Sequence, residues 1–256
     1  VSYSAIDLDK HGVCIDSLEN HQIDIMHLSP SHHFPTGIIT PISRRYELLG
    51  WASKDENRYI IEDDYDSELR LGGKPIPTLQ SIDVSDKVIY MNTFTKTLSS
   101  TVRISYMVLP ASLTELFYKN LSFYSCTVSN FEQYTLARFM ESGSFEKHIN
   151  RLRNYYQNKR DAILEIFKTA PLDQYITIKE EDSGVHFMMK LKTERTEMDM
   201  MSDSKSKGIK LAPLSKYFVG QTSNVNFQNV YVMNYSSIDL EQLPLIFDAL
   251  CHILMN

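Results

Sequence analysis

Val88-Ile89-Tyr90-Met91-Asn92-Thr93-Phe94-Thr95-Lys96-Thr97-Leu98 is the stretch on which the reading of this chain turns. Lys87–Asn92 is a short apolar run of β-forming residues, the pattern of a buried strand. Past its end the chain places Lys96 between Thr95 and Thr97, and Arg103 follows seven residues later. About one β-α unit upstream stands Tyr59-Ile60-Ile61-Glu62-Asp63-Asp64-Tyr65-Asp66, another apolar run that ends in carboxylates and a tyrosine. Two neighbouring strand ends therefore offer an amine, an acid, a phenol, hydroxyls and a guanidinium.

Outward from these runs, the apolar patterning predicts alternating elements up to about residue 110. Ile23–Leu28 reads as a buried strand, Pro41–Ser53 as a helix with Ile42, Tyr46, Leu49 and Ala52 on one stripe, and Arg58–Glu62 and Val102–Leu109 as strands. Such alternation predicts an α/β fold with a mostly parallel sheet. Gly72-Gly73-Lys74-Pro75-Ile76-Pro77 reads as a loop from its turn chemistry. From Ser112 the pattern turns helical, over Leu113–Phe123, Asn130–Met140 and a long stretch Phe145–Phe167. A smaller α+β unit follows, with strands near Tyr175–Lys179, Gly184–Leu191 and Val230–Asn234 and helices over Glu194–Lys207 and Leu240–Met255. The expected division is a large-domain part over 1–110, a helical segment with a long connecting helix over 111–168, and a small C-terminal domain over 169–256.

Bulk properties narrow the function classes. With 256 residues and 43% apolar content the chain has material for a real core. A net charge of −6 argues against this chain itself being a DNA-binding surface, which requires clustered Lys and Arg. Cys14, Cys126 and Cys251 have neither metal-ligand spacing nor a disulfide framework, which suits a reducing cytoplasm. Val1–Lys10 lacks the basic and apolar regions of a signal peptide, and no apolar run is of membrane-spanning length.

The groups at the two strand ends are those that pyridoxal 5′-phosphate requires: a lysine for its aldehyde, an acid for its pyridine nitrogen, and donors for its phosphate. Both strand ends would lie at the carboxyl edge of the sheet, where α/β folds bind ligands. Each residue also has a plainer reading. Lys96 alone would be a solvated lysine after a strand, one of Asp63 and Asp64 a turn or capping carboxylate, and Tyr65 a core residue. His32-His33 is a weak metal signal, because adjacent residues in an extended segment point oppositely. Arg44 and Arg45 read as a solvated helix face. The basic face Arg151, Arg153, Lys159 and Arg160 reads as solvent or dimer surface, and the aromatics Phe117, Tyr118, Phe123 and Tyr124 as core or dimer interface.

Taken in order, Ser29-Pro30-Ser31-His32-His33-Phe34-Pro35-Thr36-Gly37, Ser43-Arg44-Arg45, Ile61–Glu68, Thr93–Leu98 and Arg103-Ile104-Ser105-Tyr106 resemble fold-type I aminotransferases. Within them the chain is most similar to the MocR/GabR branch of GntR-type transcription regulators, whose hallmark is the Glu62-Asp63-Asp64-Tyr65-Asp66-Ser67-Glu68 stretch. The resemblance is good over roughly residues 1–110 and looser beyond. It implies an aminotransferase-like effector-binding and dimerisation domain, cytoplasmic and homodimeric. DNA would be contacted only through a winged helix-turn-helix outside this chain. Residue by residue, it implies that Lys96 forms a Schiff base with pyridoxal phosphate, Asp63 pairs with the pyridine nitrogen, and Tyr65 donates to the ring hydroxyl. Thr93, Thr95 and Arg103 would hold the phosphate, and His33 would stand near the ring. The effector would be the cofactor itself or an amino compound, and transaminase activity would be weak or absent. The alternatives are a working aminotransferase, with Lys96 also moving the α-proton, or an interaction module without cofactor.

Departures from the family pattern qualify these expectations. Val1–Glu19 resembles the middle of an aminotransferase domain, which implies a piece of a longer polypeptide, with an early glycine-rich phosphate site and a ring-stacking aromatic outside it. Phe34 stands where related enzymes place an asparagine before Pro-Thr-Gly, leaving His32 or His33 as substitutes. No arginine follows Arg195, so the late arginine that clamps a substrate carboxylate in amino-acid-binding members is missing from Val230–Tyr235.

Overall fold

A computed structural model describes residues 1–72, 76–179, 184–219 and 227–255. The predicted loop at Gly72–Pro77 lies outside the described residues at its centre, 73–75. The chain divides into two compact units, one of Val1–Phe34 with Ile38–Leu152, the other of Pro35–Gly37 with Arg153–Asn256.

The first unit is built on a four-stranded sheet in the order β3 (Ile25–Leu28), β4 (Tyr59–Asp63), β5 (Val88–Thr93), β6 (Ser105–Val108). Three of the four predicted strands, β3 to β5, run parallel, with Met26 opposite Ile60 and Ile60 opposite Val88. β6 is antiparallel to β5, pairing Thr93 with Ser105. A two-residue hairpin, β1 (Leu8–Asp9) and β2 (Gly12–Val13), and a short helix α1 (Ile15–Glu19) precede the sheet.

Side chains alternate across each strand, and one face is dry. Met26, Leu28, Ile60 and Val88 pack there with Leu18, Leu48, Leu49, Trp51, Ala52 and Leu79. The last six of these come from helices α1, α2 (Ile42–Ser53) and α3 (Leu79–Ile82). Each such large side chain contributes roughly 1.5–3 kcal/mol through burial. On the opposite face Ile25, Met91 and Met107 are exposed.

The buried stripe of α2 is Arg45, Leu48, Leu49, Trp51 and Ala52, whereas Ile42 and Tyr46 face solvent. Leu49 and Ala52 of the expected stripe are thus buried, but Arg45 and Leu48 take the inner places expected of Ile42 and Tyr46, and the expectation that Arg45 is solvated is corrected. The cause is local: backbone carbonyls wait inside for a guanidinium, as described below.

Helices α4 (Ala111–Leu121), α5 (Asn130–Glu141) and the 24-residue α6 (Ser144–Phe167) follow. Asp86 caps α4 from a distance, accepting from the amides of Ala111 (2.9 Å) and Ser112 (3.0 Å). The Ser112 amide in particular holds this carboxyl below its ordinary pKa. A depressed carboxylate stabilises the fold above its unfolded pKa, and the contribution fades as pH falls through the lower, folded value. Asp86→Ala is therefore expected to cost about 0.5–1 kcal/mol at neutral pH, with the difference from the parent vanishing in urea melts below the carboxylate range.

No residue of α4 or α5 is buried, and Tyr118, Phe123, Tyr124, Phe131 and Tyr134 are exposed, so Tyr118, Phe123 and Tyr124 are not core.

The second unit holds an antiparallel sheet β7 (Ile176–Lys179), β8 (His186–Leu191), β9 (Val230–Asn234) with helices α7 (Glu197–Ser206) and α8 (Leu243–Met255). Phe187 anchors it, meeting Phe167 edge-on and stacking on Tyr235, at 6.4 and 5.7 Å between ring centroids. Lys159 and Arg160 are buried, which corrects the solvated reading of that end of the basic face. The Lys159 ammonium donates to the Ser236 carbonyl at 2.8 Å and Arg160 pairs with Asp161.

No described helix is long and apolar enough to cross a membrane.

Candidate functional site

The carboxyl ends of β4 and β5 bring Asp63 and Thr93 together. Asp63 is opposite Met91 in register, and Thr93 lies two residues beyond Met91 on the same strand. Strand alternation therefore puts Asp63 and Thr93 on one face, the face that α2 does not cover. Lys96 follows three residues after the end of β5, and both Lys96 and Arg103 are exposed with no hydrogen bond or ion pair among the described residues. This turn leaves the Lys96 amine in solvent.

Asp63 is partly exposed, and its carboxylate stands 3.4 Å from the His27 Nε2. Hydrogen bonding to Asp63 raises the His27 pKa. Asp64, by contrast, is a structural carboxylate, as expected of one of the pair: it accepts from the Ser67 hydroxyl at 2.7 Å and the Tyr90 hydroxyl at 2.8 Å. From there a chain of bonds returns to the strand end. The Asn92 side-chain amide donates to the Tyr90 oxygen (3.1 Å) and to Glu68 (3.0 Å). Burial raises the pKa of both Glu68 and Tyr90. The chain locks the 63–68 turn to β5 and so fixes Asp63 relative to Thr93. Tyr90→Phe breaks it at its centre and leaves buried polar atoms unmatched; a loss of about 1–3 kcal/mol in unfolding free energy is expected.

Thr93 and Thr95 spend their hydroxyl protons internally. The Thr93 hydroxyl reaches Ile104 O at 3.2 Å, and that of Thr95 reaches Val102 O at 3.1 Å. Donation to a phosphate by either requires its hydroxyl to rotate. Tyr65 is similarly occupied, donating to the His32 carbonyl at 3.1 Å, and burial drives its pKa up. His32 itself is buried against Asp66, Nδ1 to Oδ2 2.8 Å. His33 is half-buried, its amide donating to Ile38 O at 3.0 Å, and desolvation lowers its pKa. Phe34 is exposed. The two histidines thus face different surroundings, as their adjacency implies.

Arg45 is what sequence reasoning missed. Fully buried, it donates from Nε to Thr40 O (3.1 Å), from Nη1 to Pro77 O (3.1 Å) and from Nη2 to Pro30 O (3.0 Å). Its Nη1 also stands 3.5 Å from the buried Glu62 carboxylate. Glu62 in turn accepts from the amides of Leu79 (2.8 Å) and Gln80 (2.9 Å) at the start of α3. Burial pushes the Glu62 pKa up and the Arg45 pKa down, each opposed by the other's charge. One ion pair therefore ties the loop carrying His32 and His33 to β4 and α3. Of the described residues, no group of His, Cys, Asp and Glu is arranged to hold a metal.

The model of the aminotransferase class I and II family matches residues 4–232. The chain is 40% identical over 210 residues to the HTH-type transcriptional regulator YdeL of Bacillus subtilis, covering 82% of this chain and 45% of that protein. It belongs to the class I and II aminotransferase family. The rhizopine catabolism regulatory protein MocR of Rhizobium meliloti is 30% identical over 84% of this chain and 42% of its own length. Among solved aminotransferases, the multiple substrate aminotransferase of Thermococcus profundus superposes with a TM-score of 0.79 at 25% identity, over 98% of this chain and 63% of that one. The kynurenine aminotransferase of Pyrococcus horikoshii, solved with PMP, gives 0.79 at 24%. The chain thus spans under half the length of these regulators, and under two-thirds of these aminotransferases. The fold-type I architecture expected from the sequence is the one found, and enzymes of this fold use pyridoxal phosphate.

Proposed function

We propose that this chain is the effector-binding and dimerisation part of a MocR-type transcription regulator that holds pyridoxal phosphate covalently on Lys96. The observation that carries the reading is the shared face of Asp63 and Thr93 at paired strand ends, with the exposed Lys96 three residues past β5 and the exposed Arg103 two residues before β6, in a chain whose relatives are HTH-type regulators. The residues fit the cofactor's needs. Lys96 offers an exposed amine, Asp63 a partly exposed carboxylate beside His27, and Arg103 an exposed planar fork suited to a phosphate. Bound there, the group supplies an electrophilic carbon and an electron-withdrawing ring. Tyr65 would orient the ring hydroxyl once its own hydroxyl turns from the His32 carbonyl. His33, with its lowered pKa, would stand neutral near the ring, and Thr93 and Thr95 would shape the phosphate end.

Asp63 also gives the site a pH dependence. Protonated His27 and a cationic ring nitrogen compete for the same carboxylate. A raised histidine pKa means His27 is cationic below it, and the competition ends as pH rises through that value, above histidine's ordinary one. Cofactor retention is therefore expected to strengthen across that rise in the parent protein and to lose this step in His27→Ala, as read by dialysis followed by visible absorbance.

Arg195, the last arginine of the chain, bonds Ile253 O and pairs with Asp203, which leaves no arginine on β9 to clamp an amino-acid carboxylate. This favours the cofactor itself, or an amino compound lacking the usual carboxylate pose, as effector. The exposed aromatics of α4 and α5 are the surface we assign to a second copy. DNA would be contacted through a separate helix-turn-helix part of the regulator. The test is operator binding by the regulator in mobility shifts, with and without pyridoxal phosphate. A cofactor response lost in Lys96→Ala supports the reading; steady turnover of amino donors with 2-oxoacids and no DNA response favours an enzyme.

A further inference from the structure

The turn that carries Lys96 is gripped on both sides by the first turns of α6. His148 Nε2 lies 2.7 Å from the carbonyl of Thr97, a residue that is itself fully buried. A carbonyl only accepts, so Nε2 carries the proton and donates. One helical turn earlier Phe145 meets the Phe94 ring edge-on at 6.0 Å. Phe139 of α5 backs both, 6.2 Å from Phe145 and 6.2 Å from the His148 ring. Phe94 and Thr97 bracket Lys96, and Leu98 N closes the turn by donating to Phe94 O at 2.9 Å.

Residues 145 and 148 share one helix face at a spacing of three. Among the described residues the other bond of Thr97 stays within the turn, its hydroxyl reaching Phe94 O at 3.4 Å. The peptide that follows Thr97 is therefore held from outside the turn by a single side-chain donor.

We infer that His148 is a positioning residue for Lys96, setting the amine-bearing turn by donating to the Thr97 carbonyl. The inference rests on the proposed role of Lys96, and it deepens that role. The amine is exposed and makes no bond of its own, so its place is set by its backbone. The backbone is set by Phe94 and Thr97, and these by α6. Linkage is reciprocal, so covalent attachment at Lys96 and the seating of α6 against this turn bias each other.

The experiment compares His148→Phe, which keeps a ring against Phe139 and removes the donor, with His148→Gln, which keeps an N–H. Two readouts are taken on the protein. The first needs no cofactor: hydrogen exchange of the Leu98 amide, which belongs to the same peptide as the Thr97 carbonyl. The second is the rate of pyridoxal phosphate attachment to Lys96, by borohydride trapping and mass analysis.

His148→Phe is expected to speed Leu98 exchange and slow attachment, each by about 3- to 10-fold, the effect of losing one net hydrogen bond. His148→Gln is expected to recover most of both. A general packing defect would instead lower both variants alike and spread over the amides of α6. Unchanged Leu98 exchange in His148→Phe, or no rescue by glutamine, overturns the positioning role. If the parent protein takes up no cofactor while the exchange pattern holds, the clamp stands and the cofactor reading is what fails.

Discussion

Replacing Arg45 by alanine is expected to remove about 3–5 kcal/mol of unfolding free energy, the cost of leaving a buried charge unpaired. The size follows from what the guanidinium does. Its nitrogens serve the carbonyls of Thr40, Pro77 and Pro30, and its charge faces Glu62 across 3.5 Å in a fully dry site. Alanine takes the guanidinium from the carbonyls of Thr40 and Pro77 and the countercharge from Glu62, in a position where water has little access. Arg45→Lys keeps the charge but not the fork, and is expected to recover only part of the loss. Glu62→Gln should cost less than Arg45→Ala, because an amide oxygen still accepts from Leu79 N or Gln80 N and the arginine keeps its three carbonyls. Urea unfolding of the three variants ranks them. A loss under 1 kcal/mol for Arg45→Ala contradicts the assignment of Arg45 as the element joining the His32–His33 loop to β4 and α3.

Asp63→Ala is expected to weaken cofactor retention by roughly 100-fold, about 3 kcal/mol, within the range for losing one partner of a close charge pair. Asp63 ends β4 on the open sheet face and stands beside Thr93 by register. Asp64, one residue on, turns to the opposite side and is consumed by Ser67 and Tyr90. The two neighbours therefore separate by function. Asp64→Asn is expected to lower stability with less effect on retention, Asp63→Asn the reverse. An independent readout accompanies the pair: in Asp63→Asn the His27 pKa falls back toward its ordinary value, visible by NMR without any cofactor, since Asp63 is what raises it. Equal effects of the two substitutions on retention would contradict the division of labour.

The legible and illegible parts of the chain differ for physical reasons. β3, β4 and β5 were readable because a parallel strand covered on one face carries apolar runs bounded by turn residues, and the 24-residue α6 because its pattern is long. The direction of β6 was not, since antiparallel and parallel pairing leave the same local pattern and differ only in where the chain comes from. The β1–β2 hairpin is too short for any period to show. On α2, counting arginine as a surface residue assigned Ile42 and Tyr46 the inner places that Arg45 and Leu48 take; the buried side is defined by carbonyls from Pro30, Thr40 and Pro77, far apart in sequence. The same holds for His148, whose partner is a backbone carbonyl 51 residues away and leaves no mark on composition or spacing. Lys96, Asp63 and Arg103 stood out because each is a chemically capable group at a strand end. Their exposure, and the internal engagement of Thr93, Thr95 and Tyr65, are tertiary facts.

Everything functional here depends on the Lys96 amine, so the most direct measurement is chemical. The protein is incubated with pyridoxal phosphate, reduced with borohydride, digested, and the modified peptide identified by mass. The account predicts stoichiometric label on Lys96, and loss of both label and visible chromophore in Lys96→Ala. Label spread over surface lysines, or a Lys96→Ala variant with the parent's chromophore, would contradict it.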